Sequence, residues 1–377
     1  MRRLRSVKIR EIAEKIAICA YCPFMCKDIC TVYAQTKRDS LSPTMHEYLL
    51  WMILEGRMAY SREVGEILYE ACSGCLLCQS WCASKQDVPE KVRTARMDLV
   101  ELNLTPQPIQ QVERSTVNLH NPYQEPHEKR LIHLAQTSSS RKGGGLLYFL
   151  GCTAAYRRPE VADVALRLMQ RCGEPTQLLE DEWCCGLPQY ELGLMKAVKQ
   201  LAQHNCEAIN AQSVRAAVTS CPECQYMLNQ VYPKLGYALN IPVYHTSQYL
   251  KMLMDAGRLK LERKLEPSTY HDPCYLGRRS QIYEEPRAIL RRLSEDFREL
   301  RWSRDKAYCG GGGVAYSITY PSNASKIGVK VLEEAEHLNV EALITACPMC
   351  KHQLLNAARG RIQLLDIAEA VELASRP

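Results

Sequence analysis

The sequence predicts an α+β protein of several domains, in which a mostly helical N-terminal module precedes two similar α/β lobes. Apolar residues follow a helical period early in the chain, as in the stretch 46–70. After Gly145, short apolar runs alternate with amphipathic stretches, which is the pattern of strands and helices in parallel α/β layers. The second half then repeats itself at an offset that drifts from 122 to 126 residues.

Composition sets the predicted boundaries. The 377 residues suffice for two to three domains, and 46% of them are hydrophobic, enough to fill real cores. Four prolines between residues 106 and 126 predict an extended connector between the helical part and the repeat. The predicted units are the N-terminal module 1–102, a connector 103–145, lobe one 146–257 and lobe two 258–377.

Nineteen cysteines, an odd number, are the anomaly of this composition. Disulfide frameworks belong to small secreted domains, whereas clustered cysteines in a reducing cytoplasm are more often metal ligands. A net charge of +6 without a long Lys/Arg run predicts a solvated surface and no nucleic-acid partner. No apolar run approaches the roughly 18 residues of a membrane span. We therefore expect a cytoplasmic metal protein, with peripheral attachment at the inner face of the membrane left open.

Two cysteine runs occupy the N-terminal module. The second has the spacing C-x2-C-x2-C-x3-C of bacterial ferredoxins, in which three cysteines hold one [4Fe–4S] cluster and the fourth reaches another cluster. The first run is one residue longer in its middle. A crossed arrangement gives two predicted ligand sets, namely Cys19, Cys22, Cys26 and Cys82 for cluster one, and Cys72, Cys75, Cys78 and Cys30 for cluster two. Two four-cysteine zinc sites are the alternative.

Each lobe supplies a cysteine after a strand, a central motif, and a C-x-x-C pair after another strand. The carboxyl ends of parallel strands meet at one crevice, so we expect each set to converge. The predicted sets are Cys152, Cys184, Cys185, Cys221 and Cys224 in lobe one, and Cys274, Cys309, Cys347 and Cys350 in lobe two. Tyr308 stands where lobe one has Cys184. Four thiolates suit zinc or an ordinary cluster, and a borrowed ligand is a further alternative.

These motifs resemble the cysteine-rich CCG domain, whose pattern is Cys, then Cys-Cys-Gly, then Cys-x-x-Cys. With the two cysteine runs in front, the layout is similar to the D-type subunit of heterodisulfide reductase. It is also similar to the iron–sulfur subunits of glycolate oxidase and anaerobic glycerol-3-phosphate dehydrogenase. The stretches "YHDPCYLGRRSQIYEEPRAIL" and "TACPMCKHQLL" carry the likeness to the D type. The resemblance implies a noncubane [4Fe–4S] cluster on the five lobe-one cysteines.

The resemblance also implies a function, that of an iron–sulfur electron-transfer subunit of an oxidoreductase complex. Its partner would be a flavoprotein such as an electron-transfer flavoprotein, because the chain shows no flavin or nicotinamide motif of its own. Its acceptor would be a thiol/disulfide couple or a quinone, and a membrane quinone-reactive subunit is a further partner. A catalytic heterodisulfide reductase is the alternative, against which Tyr308 counts. A zinc or scaffolding protein is a third hypothesis, and no catalytic residue is assigned.

Several polar or reactive residues outside the motifs have ordinary structural interpretations. Cys172 and Cys206 are predicted to be packing residues on helices. His271 is predicted to be a structural imidazole. Arg278 and Arg279 could meet an anionic substrate, but a solvent-exposed pair is the expectation.

Overall fold

The computed structural model describes residues 7–22, 25–134, 144–358, 360 and 362–375. The part that precedes the first strand is helical, as the apolar period predicts. Its α-helices are α1 Ala13–Ala20, α2 Met25–Ile29, α3 Thr31–Thr36, α4 Pro43–Leu54, α5 Arg62–Glu70, α6 Leu77–Ser80, α7 Val88–Glu101 and α8 Gln107–Leu119.

The stretch 46–70 shows where a glycine ends a helix and where it does not. The chain breaks between α4 and α5, where Gly56 adopts a φ of +72° that other residues rarely take. Gly65 instead lies inside α5, where a Cβ would come 2.7 Å from the Leu104 carbonyl oxygen. Gly65 therefore permits close packing of the helix against the following chain.

The predicted extended connector is wrong over much of its length, because α8 occupies 13 of its residues. Pro106 is the N-cap of this helix and Pro108 lies in its first turn, where a proline lacks only an N–H that would be unpaired anyway. The prolines therefore begin a helix rather than interrupt one. A 3₁₀ helix, His127–Leu134, follows, and residues 135–143 of the predicted connector lie outside the described residues.

Lobe one is a parallel sheet flanked by helices. Its strands are β1 Leu146–Tyr148, β2 Thr176–Gln177, β3 Ala216–Thr219 and β4 Val243–His245, and they run side by side in the order β2-β1-β3-β4. Its α-helices are α9 Cys152–Tyr156, α10 Pro159–Arg171, α11 Leu187–Glu191, α12 Met195–Asn210, α13 Pro222–Tyr226, α14 Tyr232–Lys234 and α15 Thr246–Asp255. All described strand pairs of the sheet are parallel.

Lobe two repeats this plan. Its strands are β5 Ser268–His271, β6 Phe297–Glu299, β7 Ala342–Thr345 and β8 Gln363–Asp366, in the parallel order β6-β5-β7-β8. Its α-helices are α16 Glu284–Leu293, α17 Gly313–Thr319, α18 Pro321–His337, α19 Pro348–Ala357 and α20 Ile367–Ala374. The same strand order in both sheets confirms the predicted repeat and its α/β class.

A shared core joins the two lobes. Alternate residues of a strand face opposite sides of a sheet, so Tyr148 and Tyr270 lie in one apolar cluster with parts of α10, α15, α16 and α20, whereas Leu147 faces a separate cluster in lobe one. The N-terminal module has its own core, to which lobe one contributes Leu192 and Leu194. None of the described helices combines the length and apolar character needed to cross a membrane.

Buried polar contacts hold the N-terminal module against both lobes. The Glu191 carboxylate, at the end of α11, accepts from the Tyr275 hydroxyl at 2.7 Å and lies 3.2 Å from the Arg93 guanidinium. The Arg279 guanidinium lies 2.5 Å from the Asp87 carboxylate. Arg93 and Asp87 belong to the N-terminal module, so these contacts fix the cysteine loops of the module relative to the lobes.

Asp366 makes the stability of lobe two depend on pH. Burial, helped by the charge of Glu369 and opposed by that of Lys351, raises the pKa of Asp366 to about 8. An acid with a higher pKa in the folded state favours folding while it is protonated, so stability falls as the pH rises from about 4 to about 8. Asp366→Asn keeps an N-cap oxygen for the Ala368 N–H and removes the ionisation.

We therefore expect Asp366→Asn to flatten this fall and to be more stable than the natural protein at pH 8. Urea unfolding midpoints measured from pH 5 to pH 8 check the result. Asp255→Asn, at an exposed position, is the control and should leave the slope unchanged. An unchanged slope in Asp366→Asn would contradict the assignment.

Candidate metal centres

The strand ends place the lobe cysteines. Cys152 begins α9 just after β1, and Cys221 is the N-cap of α13 just after β3. In lobe two, Cys274 follows β5 and Cys347 is the N-cap of α19 after β7. The carboxyl edge of each parallel sheet therefore gathers its cysteines, as the strand pattern predicts.

The five lobe-one thiols form a continuous set of contacts. The Cys184 and Cys152 sulfurs are 3.8 Å apart. Cys185 hydrogen-bonds with Cys184 and Cys224, and these contacts lower the pKa of Cys185 well below its usual value. Cys221 in turn contacts Cys224. All five side chains are buried, so the structure brings the predicted set together in one dry site.

Gly151 and Gly186 explain why the backbone can approach these sulfurs. A Cβ on Gly151, whose φ is +73°, would come 2.9 Å from the Cys224 sulfur. Gly186, at φ +87°, begins α11 and directs its N–H to the Cys184 sulfur at 3.5 Å. Glu182 holds the end of β1 by accepting the N–H groups of Leu150 and Gly151, each at 2.8 Å.

The four lobe-two thiols also converge. The hydrogen bond to Cys274 is the largest influence on the Cys309 thiol, whose pKa rises to about 12. Cys350 contacts Cys347 and feels the charges of Cys274 and Cys309. Backbone N–H groups point at the sulfurs: Gly312 N–H lies 3.0 Å from the Cys309 sulfur, and Cys350 N–H lies 3.4 Å from the Cys347 sulfur.

Tyr308 does not take the place of the fifth thiolate. Its side chain is buried in an apolar cluster with Leu300, and its ring lies edge-on to Trp302 at 5.7 Å. The Lys330 ammonium donates to its hydroxyl at 2.9 Å and lies 4.2 Å above its ring. The phenol is therefore occupied by packing and by a lysine, and lobe two has four sulfur donors among the described residues.

In the N-terminal module, the first crossed set lines one cavity of about 160 Å³, together with Cys78. These cysteines are Cys19, Cys22, Cys26 and Cys82. The charges of Cys22 and Cys82 both act on Cys26. The Lys91 ammonium, which is fully buried, donates to the Cys19 sulfur at 2.8 Å and lies 3.3 Å from the Glu47 carboxylate.

The second crossed set lies beside the first and beside lobe two. Cys30, Cys72 and Cys75 all act on the pKa of Cys78, which burial raises well above its usual value. Cys75 also contacts Cys309 of lobe two, and this hydrogen bond raises the pKa of Cys75 well above its usual value. The structure thus places thiols of the N-terminal module directly against the lobe-two thiols.

The donor chemistry fits iron–sulfur clusters. Burial and mutual repulsion raise the pKa of most of these thiols, to about 11 for Cys19 and about 12 for Cys30, so the ligand sets need a cationic core to hold them as thiolates. Among the described residues, no three His, Cys, Asp or Glu side chains are arranged to hold a single metal ion. Sets of four or more cysteine thiolates are the ligands that iron–sulfur clusters use.

Side-chain contacts link the two lobe sites. The Tyr123 hydroxyl from the connector lies 2.9 Å from the Thr153 hydroxyl of lobe one and donates to the Met349 sulfur of lobe two at 3.5 Å. Glu223, inside the lobe-one C-x-x-C, reaches towards Gly313 of lobe two. Burial, helped by the charges of Cys185 and Glu191, raises the pKa of Glu223 to about 8.

Sequence reasoning missed an aromatic stack beside lobe one. Trp183, next to Cys184, lies between the imidazoles of His120 and His204 at centroid distances of 3.7 Å, nearly parallel to both. The Cys184 N–H donates to the His120 carbonyl at 2.9 Å. An open cavity of about 350 Å³ borders the stack. The only signal in the sequence was the tryptophan before the Cys-Cys pair.

The residues given ordinary structural interpretations have mixed outcomes. Cys206 is buried and donates to the Ala238 carbonyl at 3.2 Å, and Cys172 is buried in the shared core. His271 bonds to the Tyr308 carbonyl at 3.0 Å, as a structural imidazole does. The expectation that Arg278 and Arg279 form a solvent-exposed pair is wrong, because Arg278 is buried and the Arg279 side chain, 9% exposed, is paired with Asp87.

Comparisons with known proteins agree with the division into two cysteine-containing lobes. The cysteine-rich domain named CCG matches residues 146–229 and 268–355, so each match spans the cysteine set of its lobe. The chain carries two CCG domains. It is homologous to the D-type subunit of heterodisulfide reductase and to related iron–sulfur proteins, as the resemblance implies.

Two relatives and one solved structure show the extent of the likeness. The D-type subunit of dihydromethanophenazine:CoB–CoM heterodisulfide reductase from Methanosarcina acetivorans is 29% identical, over 81% of this chain and 76% of the relative. The B-type subunit of a CoM/CoB fumarate reductase from Methanothermobacter marburgensis is 28% identical, over 96% of this chain and 73% of the relative. A hypothetical protein from Helicobacter pylori has a TM-score of 0.57 at 10% identity, covering 98% of this chain and 72% of that structure. That last likeness concerns the fold alone.

Proposed function

We propose that this CCG-domain protein passes electrons between a flavoprotein partner and a thiol/disulfide or quinone acceptor, as the iron–sulfur subunit of an oxidoreductase complex. The observation that carries the proposal is the contact series of thiols across the molecule. Cys26 lies near Cys78, Cys75 contacts Cys309, and the charge of Cys347 acts on Cys221. The relatives, as subunits of oxidoreductase complexes, support the general role.

The proposed ligand sets follow the contacts. Cys19, Cys22, Cys26 and Cys82 hold one [4Fe–4S] cluster, and Cys30, Cys72, Cys75 and Cys78 hold another. The five lobe-one thiols hold a noncubane cluster, and the four lobe-two thiols hold a further cluster or zinc. When bound, such clusters accept and release single electrons. The chain itself keeps the sites dry, positions the sulfurs, and supplies the N–H and ammonium donors that tune their charge.

Metal analysis tests the proposal as a whole. Anaerobically purified protein should contain about twelve iron atoms per chain with equal acid-labile sulfide, or about sixteen if lobe two also holds a cluster. Electron paramagnetic resonance under reducing conditions should show the N-terminal clusters, and oxidation should show the lobe-one cluster. Zinc without acid-labile sulfide would remove the basis of an electron-transfer role.

A catalytic disulfide reductase is the second candidate, favoured by the presence of two CCG lobes. Such an enzyme would need two equivalent five-thiolate sites, and the buried, lysine-bound Tyr308 leaves lobe two with four described donors. Two noncubane signals per chain, both changed by a substrate disulfide, would support this alternative over the electron-transfer role. A single such signal would favour the electron-transfer role.

Cys185→Ser should remove the lobe-one metal and little else. Cys185 contacts both Cys184 and Cys224, so its loss breaks the set in the middle. We expect about four irons fewer per chain, measured by iron and sulfide analysis, with the N-terminal signals retained.

Cys206→Ser is the matched control for this variant. Its thiol is also buried, but it bonds the Ala238 carbonyl, a contact that a serine hydroxyl can keep. The iron content of this variant should equal that of the natural protein. Full iron in Cys185→Ser would contradict the ligand assignment.

A further inference from the structure

A polar cavity of about 500 Å³, with no cysteine in its lining, opens where the N-terminal module meets lobe two. Gln79, on α6, and Lys85, which follows Cys82, line it from the N-terminal module, and Arg278, Tyr283 and Arg304 line it from lobe two. Neither the proposed function nor any ligand set uses these side chains. The cavity is thus a candidate for a separate ligand.

Arg278 is held rigidly at the wall of this cavity. Its Nε donates to the Cys75 carbonyl at 2.7 Å, and its Nη1 donates to the carbonyls of Ala307 at 2.7 Å and Asp305 at 3.1 Å. Its Nη2 is buried and has no hydrogen-bond partner within the described chain, and the whole residue is only 7% exposed. A buried guanidinium N–H without an acceptor is costly, so an oxyanion that reached this group would relieve that cost.

Tyr283 offers a second buried donor in the same cavity. Its hydroxyl is buried and has no hydrogen-bond partner within the described chain. Burial raises the pKa of Tyr283 to about 12, so the hydroxyl keeps its proton at neutral pH. The ring packs on Gly277, where a Cβ would come 2.5 Å from a ring carbon. The glycine before Arg278 therefore lets the phenol lie beside the guanidinium.

The charge of the cavity wall favours an anion. Three of the lining side chains are cationic, those of Lys85, Arg278 and Arg304, and one is a carboxylate, that of Asp305. Arg304 is paired with Glu284, whereas the Lys85 ammonium has no partner among the residues the structure describes. Two cationic groups are thus available to a ligand, one of them a guanidinium whose planar fork suits carboxylate and phosphate oxygens.

We propose that this cavity binds the oxyanion group of a small molecule, a carboxylate, phosphate or sulfonate, with the Arg278 Nη2 and the Tyr283 hydroxyl as donors and Lys85 as the counter-charge. A ligand here would lie beside the Cys75 loop, because Arg278 donates to the Cys75 carbonyl. Arg278 also follows Cys274 by four residues in the chain. The site would therefore hold an anionic ligand next to the contact between the second cysteine set of the N-terminal module and lobe two.

Calorimetric titration of the anaerobic holoprotein tests the proposal, with inorganic phosphate, sulfate and acetate in separate arms at constant ionic strength. At least one anion should bind saturably, and the arm that binds identifies the oxyanion class. Arg278 also anchors the Cys75 loop, so the variants are Tyr283→Phe and Lys85→Gln. Each should weaken binding roughly tenfold to a hundredfold, because each removes one donor to a charged group.

Lys234→Gln is the matched control, since it makes the same change of charge on lobe one, outside the cavity. Its affinity should equal that of the natural protein. The proposal is overturned if none of the three anions binds saturably at millimolar concentration, as would be expected if only an acidic side chain of a partner protein enters the cavity. It is also overturned if binding is unchanged in both Tyr283→Phe and Lys85→Gln. Neither result depends on the metal content.

Discussion

Arg287→Met should lower the free energy of unfolding by about 3–5 kcal/mol, because it leaves a buried carboxylate without its partner. The Arg287 side chain is fully buried. It binds both Asp272 carboxylate oxygens, each at 2.7 Å, and both Glu299 oxygens, at 2.7 and 2.9 Å. Asp272 is 3% exposed, so its charge would remain in a dry environment. Glu299 is about one-third exposed and can be solvated.

This cost bears on the metal site proposed for lobe two, because Asp272 lies two residues before Cys274. The carboxylate also accepts the Arg304 N–H at 2.7 Å, so it ties the end of β5 to the loop before Tyr308. Without Arg287, the Cys274 loop loses its link to β6. We therefore expect the metal content of lobe two to fall together with stability, measured by urea unfolding and metal analysis on the same preparation.

Two further variants isolate the cause. Arg291→Met lies on the same helix, but Arg291 is 57% exposed and 3.7 Å from an exposed Glu284, so its loss should cost less than about 0.5 kcal/mol. Asp272→Asn in the Arg287→Met background removes the unpaired charge and should recover part of the lost stability. Equal costs for Arg287→Met and Arg291→Met would contradict the buried-pair explanation.

The positions of the lobe cysteines could be predicted because local patterns determine them. An apolar run such as 146–150 predicts a strand, and residues after parallel strands meet at one edge. The repeat offset then predicts the same strand order twice, which the two sheets show. The crossed cysteine sets of the N-terminal module come from spacing alone, and the cavity that brings Cys82 to Cys19 supports them without testing the metal.

Contacts between distant parts of the chain could not be predicted in the same way. Arg278 and Arg279 are consecutive charged residues and suggest a solvated surface, but the N-terminal module covers them through Cys75 and Asp87. The prolines of the connector suggest an extended chain, although a proline at a helix start is favourable. In each case the deciding partner lies far away in sequence or depends on the exact helix position.

Lys91 is a residue that the sequence could have indicated. It lies three residues after Val88 and four before Ala95, on the buried face of α7. A lysine on an apolar helix face needs a buried partner. The partners are Glu47 on α4 and the Cys19 sulfur on α1, which periodicity within one helix does not reveal.

Lys91→Met should lower the reduction potential of the cluster proposed for the Cys19 set by roughly 60–130 mV. The Lys91 ammonium donates to the Cys19 sulfur at 2.8 Å, and a positive charge there stabilises the more negative, reduced state. A hydrogen bond to a charged group contributes about 1.5–3 kcal/mol, and about 1.4 kcal/mol corresponds to about 59 mV for one electron. A redox titration followed by electron paramagnetic resonance measures the shift.

The same variant has a second effect, which a double variant separates from the first. Glu47 is fully buried, and burial already raises its pKa to about 7 despite the nearby Lys91 ammonium. Lys91→Met alone leaves Glu47 unpaired, so stability falls as well as potential. Lys91→Met with Glu47→Gln removes both charges and should restore much of the stability, whereas the sulfur still lacks its donor and the potential stays low.

Lys15→Met is the matched control for the potential. Lys15 lies on α1 with Cys19, but its side chain is 53% exposed and its ion pair with Glu90 spans 3.4 Å. Water and salt screen such a charge, so its removal should move the potential by much less than Lys91→Met does. Equal shifts in the two variants would mean that net charge, rather than the buried ammonium-to-sulfur hydrogen bond, controls the Cys19 site.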